Sequence, residues 1–129
     1  MKYLLDTNVL LEYPEIFSTH PDDIFIIHTV VAGELDNQIH NERGNNELAY
    51  KARQARNSIK LANNVEYSCY EPIEWISGLS WDTNDDRLLL VCKEKEYVLY
   101  TNDLLMQIKA DSICVKWIEY KGDSKEYKG

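Results

Sequence analysis

The first eleven residues constrain this chain more than any other stretch. Lys2-Tyr3-Leu4-Leu5 runs into Asp6, Thr7 and Asn8 follow, and Val9-Leu10-Leu11 resumes the apolar character. The pattern predicts a short buried strand ending at Asp6, with Thr7 or Asn8 capping the helix that follows. In an open parallel α/β sheet, ligands bind just beyond the carboxyl ends of the strands, and Asp6 falls there. A carboxylate directly behind a buried strand is expensive to hold without something cationic. The position therefore calls for a hard divalent metal ion and for further oxygen ligands elsewhere in the chain.

Three more places offer them. Glu34 lies in Thr29-Val30-Val31-Ala32-Gly33-Glu34-Leu35-Asp36, directly after the apolar run from Ile24 to Ile27. Read as a helix, Val31, Leu35 and Ile39 make its apolar stripe, and Glu34 borders that stripe. Asp85 and Asp86 open a helix that continues Leu88-Leu89-Leu90-Val91-Cys92, and Asp103 follows the apolar run Tyr97-Val98-Leu99-Tyr100. Strand, carboxylate, helix is thus repeated at Asp6 and Asp103. Thr83-Asn84-Asp85-Asp86 also has the form of a capping box, which makes Asp86 the structural member of its pair. Asp85 stands three, four and seven residues before Leu88, Leu89 and Cys92, and so faces inward with the core.

Leu5-Asp6-Thr7-Asn8-Val9-Leu10, Val30-Val31-Ala32-Gly33-Glu34-Leu35-Asp36, Asn84-Asp85-Asp86-Arg87-Leu88-Leu89 and Tyr100-Thr101-Asn102-Asp103 resemble the four acidic motifs of PIN-domain ribonucleases, in the family's order. The likeness runs from residue 1 to about residue 116. It is greatest to the PIN domains fused ahead of PhoH-type ATPases, through Ala52-Arg53-Gln54-Ala55, Asp85-Asp86-Arg87-Leu88-Leu89 and Thr101-Asn102-Asp103-Leu104. Leu88 stands where isoleucine is common, and Val31-Ala32-Gly33-Glu34 replaces a more usual Val-x-Glu-Glu. Neither departure removes a carboxylate.

The resemblance implies a three-layer α/β fold with a central parallel sheet of four or five strands flanked by helices. It implies a metal-dependent endoribonuclease acting on single-stranded RNA, with Mg2+ or Mn2+ held by Asp6, Glu34, Asp85 and Asp103 directly or through water. Asn8 would orient Asp6 or a bound water, and Asp86 and Thr101 would support the ligands from behind. Hard cations prefer such oxygen donors, and a metal-bound water loses its proton more readily. Single-stranded RNA is the implied partner. A further copy of this chain, a fused or associated ATPase, and an antitoxin stay open as others. Two other readings compete: a PIN fold used as a non-catalytic RNA-binding or scaffold module, and the toxin of a toxin–antitoxin pair. Loss of one acid would have favoured the module, and all four are present. A phosphatase of the Asp-x-Asp type is disfavoured because position 8 is Asn8, and a receiver domain because no acceptor aspartate follows a middle strand near residue 50.

Net charge argues in the opposite direction. The chain has 129 residues and a formal charge of −8, which opposes general nucleic-acid binding because phosphate neutralisation dominates that affinity. Divalent ions bound among the acids would reverse the local potential. The total is then compatible with RNA, with binding that is weak and salt-sensitive. No Gly-x-x-x-x-Gly-Lys-Ser/Thr sequence is present, so the chain carries no P-loop ATPase of its own. Cys69, Cys92 and Cys114 form no disulfide or zinc framework, which suits a reducing cytoplasm, and Cys92 and Cys114 read as small core residues. No apolar run approaches membrane-spanning length. His20, His28 and His40 lack zinc-site spacing and read as structural.

Apolar runs alternating with helical patterns predict strands near Tyr3–Leu5, Ile24–Ile27, Val98–Tyr100 and Ser112–Val115, with a further one near Val65–Ser68. Pro14 stops the first helix at Tyr13. Asn41 to Asn46 reads as a loop. Glu47 to Asn63 is the clearest helix, with Leu48, Ala52, Ala55, Ile59 and Ala62 on one face. Arg53, Arg56 and Lys60 flank that face and are candidates for RNA phosphates, though a solvated helix flank explains them equally well. Glu66 to Asp82 reads as irregular. Its Tyr67, Tyr70, Trp75 and Trp81 could stack bases or meet a partner, with core packing the expectation for the tryptophans. Residues 1–118 form the domain, and 119–129 a polar tail or the start of a linker.

Overall fold

A computed structural model describes residues 1–40 and 46–122. Residues 41–45 of the loop expected over Asn41 to Asn46, and residues 123–129 of the tail expected over 119–129, lie outside the described residues, while Asn46 is the first residue of a helix. The chain folds as β1 (Lys2–Leu5), α1 (Thr7–Glu12), α2 (Ile16–Thr19), β2 (Ile24–His28), α3 (Thr29–Ile39), α4 (Asn46–Leu61), β3 (Val65–Ser68), α5 (Asn84–Lys95), β4 (Val98–Tyr100), α6 (Leu104–Ser112) and β5 (Trp117–Ile118). Every strand pairing is parallel, and the sheet order is β3-β2-β1-β4-β5. Strand order runs outward from β1 to β3 and then reverses, so a crevice opens between the ends of β1 and β4.

The central strands need cover on both faces, and their sequences show it. Ile24–His28 and Val98–Tyr100 are almost wholly apolar, and Leu4, Leu5, Phe25, Ile26 and Leu99 are buried. Helices α1 and α3 pack on α4, whereas α5 packs on α6. Right-handed crossovers put these two groups on opposite faces of the sheet. In α4 the face carrying Ala49, Ala52 and Ala55 is buried, and small side chains there let the helix lie close to its neighbours. Pro14 acts as expected, and α1 ends at Glu12 with Tyr13 as its C-cap.

Four expectations need correction. Asp6, not Thr7 or Asn8, occupies the N-cap position of α1, and its side chain makes no capping bond. The last strand is Trp117–Ile118 rather than Ser112–Val115, because the apolar run there is spent on ending α6. Ile113 is the C-cap, Cys114 takes a left-handed φ of 65°, and the Val115 amide donates back to Ala110 O at 2.9 Å. The same turn leaves Cys114 exposed, unlike the buried Cys92. Trp75 and Trp81 are exposed too. Their segment is held onto α5 by polar anchors: the Glu94 carboxylate accepts from the amides of Ile73 and Glu74 and from the Tyr70 hydroxyl. Beyond β5, Tyr120 is buried against Tyr13 and Tyr100.

Among the described residues, no helix is long and apolar enough to cross a membrane. His28 is structural in a specific way. Its Nδ1 accepts from the Val30 amide at 3.1 Å and caps α3, while Nε2 donates to the Tyr70 carbonyl at 2.8 Å. The two bonds fix one tautomer and tie the end of β2 to the segment after β3.

Candidate functional site

Asp6 leaves β1 at the reversal point of the strand order and is only 4% exposed. Its amide donates to Tyr100 O, which continues the β1–β4 ladder by one step. Across the same gap, Thr101 Oγ1 donates to Asp6 Oδ2 at 2.9 Å. Burial pushes the Asp6 carboxyl up to about 6. The Thr101 hydroxyl and the Thr7 amide pull the other way, and the charges of Asp85 and Glu34 add to the rise.

Glu34 comes from α3 and is clamped from two other helices. Thr7, the first residue of α1, donates its hydroxyl to Glu34 Oε1, and Asn84 Nδ2 at the start of α5 donates to Oε2 at 3.0 Å. Asp85 is half-buried in the first turn of α5. Burial, and then the charges of Glu34, Asp103 and Asp86, hold it above the usual carboxylate range, against the pull of Lys109. Asp6, Glu34 and Asp85 line one open cleft of about 440 Å³, together with Thr7, Asn8, Asn37, Gln38 and Asn84.

Asp86 points elsewhere. It is 3% exposed, accepts from the Ser80 amide at 2.9 Å, and pairs with Lys109 Nζ at 2.9 Å. Burial alone would raise its carboxyl, but the Lys109 ammonium, the Ser80 amide and the Thr83 hydroxyl outweigh it and hold the group below its ordinary range. Thr83 is the N-cap residue of α5 without forming a side-chain capping bond, so the capping box is not closed in the expected way. The burial expected of Asp85 belongs to Asp86.

Asp103 caps α6: its Oδ1 accepts from the amides of Leu105 at 2.9 Å and Met106 at 3.3 Å. Its charge is nonetheless felt at Asp85. Thr101 joins the two strand ends, because the hydroxyl that donates to Asp6 also accepts from the Asp103 amide at 3.1 Å. Asn8 lines the cleft from an exposed position, and the orienting bond on Asp6 comes from Thr101 instead. Arg53, Arg56 and Lys60 are exposed on α4 and do not line the cleft; Arg56 borders a separate, largely apolar cavity between α3 and α4.

Sequence reasoning overlooked Thr7 as a clamp on Glu34, and it overlooked Asn84, Gln38 and Lys109. Asn84 adjoins the acidic pair and could have been noticed. Lys109 carries no local signal, since its partner Asp86 is 23 residues away.

The donor set is all oxygen, which suits a hard cation. Gln38 Oε1 is a buried acceptor without a hydrogen-bond partner among the described residues, on a side chain that lines the same cleft. Among the described residues no three histidine, cysteine, aspartate or glutamate side chains form a ready-made group of metal ligands. A magnesium-type ion does not need one, because it keeps several waters and takes one or two carboxylates. The residues present fit such an ion.

The chain belongs to the PIN-domain family, whose model matches residues 3–121. Among curated proteins it is similar to Protein PhoH2 of Thermobispora bispora, with 29% identity over 141 residues covering 92% of this chain. The match takes in 31% of that relative, so this chain spans about a third of its length. The likeness to PIN domains of the PhoH type, read from the acidic motifs, is borne out.

Solved structures agree on the fold. A domain of a functionally unknown protein from Methanocaldococcus jannaschii superposes with a TM-score of 0.67 at 24% identity, covering 99% of this chain and 96% of that one. VapBC2 of Rickettsia felis, solved bound to a DNA fragment from its promoter, superposes with a TM-score of 0.59 at 16% identity, covering 94% and 100%. A PilT N-terminus domain protein of Sulfolobus solfataricus gives 0.56 at 16% identity, covering 92% and 86%.

Proposed function

We propose that this chain is a divalent-metal-dependent ribonuclease that hydrolyses phosphodiester bonds of single-stranded RNA, with Asp6, Glu34, Asp85 and Asp103 as its acidic residues. The observation that carries the reading is the arrangement of Asp6, Glu34 and Asp85 around one cleft at the reversal point of the sheet. Membership of the PIN-domain family supports it. A bound Mg2+ or Mn2+ would activate a water and offset the charge of the phosphodiester and its leaving oxygen.

The protein's own residues set up that chemistry. Asp6 is costly to ionise while unpaired, so the cleft favours cation uptake. Thr101 holds the Asp6 carboxylate in one orientation, and Thr7 with Asn84 does the same for Glu34. Rigid carboxylates keep a substrate phosphate and its attacking water in line instead of letting them drift. Asp103, fixed by its capping bonds, adds negative charge that is felt at Asp85. RNA is the substrate, and a fused or associated ATPase is the partner that the PhoH-type likeness implies. The setting is cytoplasmic.

The test is direct. Purified protein with manganese is incubated with end-labelled unstructured RNA, and cleavage that a chelator abolishes is the expected result. RNA binding without metal-dependent cleavage across varied substrates would make the non-catalytic module the better reading.

A further inference from the structure

A second cavity, of about 310 Å³, opens between α3 and α4 beside the edge strand β3. Ile27, Ala32, Leu35, Ile39, Ile59 and Tyr67 supply its apolar wall. From α3 it is lined by Ala32, Leu35, Asp36 and Ile39, whereas Glu34, Asn37 and Gln38 line the acidic cleft. At about 3.6 residues per turn those two sets lie on opposite sides of α3, so the cavity faces away from the acids. Tyr67 is 70% exposed, and apolar surface therefore extends out of the cavity.

Polar groups on this wall are few. His28 has both ring nitrogens engaged, which leaves the exposed Thr29, Asp36 and Arg56. Arg56 belongs to a row, because Arg53, Arg56 and Lys60 stand three and four residues apart on one flank of α4. Among the described residues none of the three makes an ion pair or a hydrogen bond, although the chain carries a net charge of −8. Lys51 on the same helix is paired with Glu12 and Glu47, so α4 does find acids where the fold supplies them. Among the described residues Asp36 is the one carboxylate lining the cavity, and its Oδ1 lies 3.0 Å from His40 Nδ1.

We propose that the cavity and the cation row dock an acidic segment of a partner protein. The segment sets a large apolar side chain between α3 and α4 and lays its carboxylates against Arg53, Arg56 and Lys60. The volume is at the small end of ligand pockets and suits one or two such side chains. A nucleobase fits less well, because its polar edges would be buried against Ile27, Leu35, Ile39 and Ile59 with few donors or acceptors to meet them. Three free cations against one carboxylate favour an acidic segment and disfavour a basic one. The charge of the rest of the chain is screened beyond about 8 Å at physiological salt, so the local row decides. Tyr67 and Arg56 are also of the residue types that dominate binding hot spots.

For the experiment the full chain is immobilised and panned with a random-peptide phage library, and the Kd of each recovered peptide is measured by fluorescence anisotropy. Expected are peptides with a large apolar residue flanked by Asp or Glu. Ala32→Trp, which fills the cavity, and Arg56→Glu should each weaken them by about 10-fold or more while keeping the wild-type circular dichroism. Exchanging the acids of a peptide for lysine should abolish its binding to wild type and restore part of it to Arg56→Glu.

No enrichment of acidic and apolar sequences, or peptides whose affinity survives both variants, would overturn the docking surface. Oligouridylate binding that Arg56→Glu abolishes, with no peptide enriched, would give the row to RNA phosphates instead. A wild-type dimer in sedimentation that both variants dissociate would give it to a second copy of this chain.

Discussion

Thr101 Oγ1 donates to Asp6 Oδ2 at 2.9 Å, and this bond joins the ends of two neighbouring parallel strands, β4 and β1. The same hydroxyl accepts from the Asp103 amide, so a single buried group sets the position of one acid and the start of the helix that follows the other. Thr101→Val keeps the volume and removes the hydroxyl. A hydrogen bond to a carboxylate contributes about 2 kcal/mol, and its loss should appear as a lower melting temperature. Manganese affinity should drop by roughly 10-fold to 100-fold, as is usual for an orienting partner of a metal ligand. Thr101→Ser should retain most of both, and equal manganese affinity in the Val and Ser variants would show that the hydroxyl does not support a metal ligand.

Metal binding should stabilise the fold. An ion that binds the folded state at about a hundred times its Kd adds about 2.7 kcal/mol by mass action. For a domain of this size that is a rise in Tm of roughly 10 °C. Differential scanning calorimetry with manganese should show the rise in wild type and most of it missing in Asp6→Asn. Equal shifts in the two proteins would mean that the ions act non-specifically.

Without metal, Asp6 makes stability depend on pH in an unusual direction. Its carboxyl is raised from 3.8 to about 6 in the folded chain, so the folded state binds the proton more tightly than the unfolded state does. That contribution is fully present below about pH 4 and is lost as pH rises through 6, by at most about 3 kcal/mol. Chelator-treated Asp6→Asn should therefore be more stable than wild type at pH 7, and the gap should close by pH 4. Asp86 acts with the opposite sign: its depressed carboxyl stabilises above its unfolded value and loses that contribution only at more acidic pH. A constant difference between wild type and Asp6→Asn from pH 4 to 7 would count against the raised carboxyl.

The adjacent acids Asp85 and Asp86 should separate by experiment. Asp85→Asn should lose cleavage with little change in Tm, since the residue is half-exposed and repelled by its neighbours. Asp86→Asn should destabilise by about 1–3 kcal/mol, less than for a fully buried pair because Lys109 reaches water, and should lose less activity. An inactive Asp86→Asn beside an active Asp85→Asn would reverse the assignment.

Asp103→Asn offers a clean removal of charge. Asparagine caps a helix about as well as aspartate, so α6 should stay formed while the negative charge beside Asp85 disappears. Circular dichroism and Tm should match wild type within experimental scatter while cleavage is lost. Undiminished cleavage would confine Asp103 to its capping role.

Much of this protein could be read from local pattern. The strands at β1, β2 and β4 are short apolar runs and the α4 helix repeats apolar residues every three or four positions, so each is decided by neighbours in sequence. The acids at 6, 34, 85 and 103 stand in recognisable local motifs for the same reason. Where local pattern misled, a tertiary demand won. The run Ile113–Val115 was needed to end α6 instead of making a strand, and the Trp75 indole lies at the surface with its N–H donated to the Leu79 carbonyl of its own segment.

The partners of the acids belong to the fold alone. Thr101 is 95 residues from Asp6, Thr7 is 27 from Glu34, and Lys109 is 23 from Asp86. No periodicity links such pairs. Sequence determined which carboxylates the chain carries and which strand or helix ends they occupy. The order of the strands and the packing of α1, α3, α5 and α6 around their ends determined which acids stay unpaired in the cleft and which are neutralised, because charge and burial depend on what is near in space.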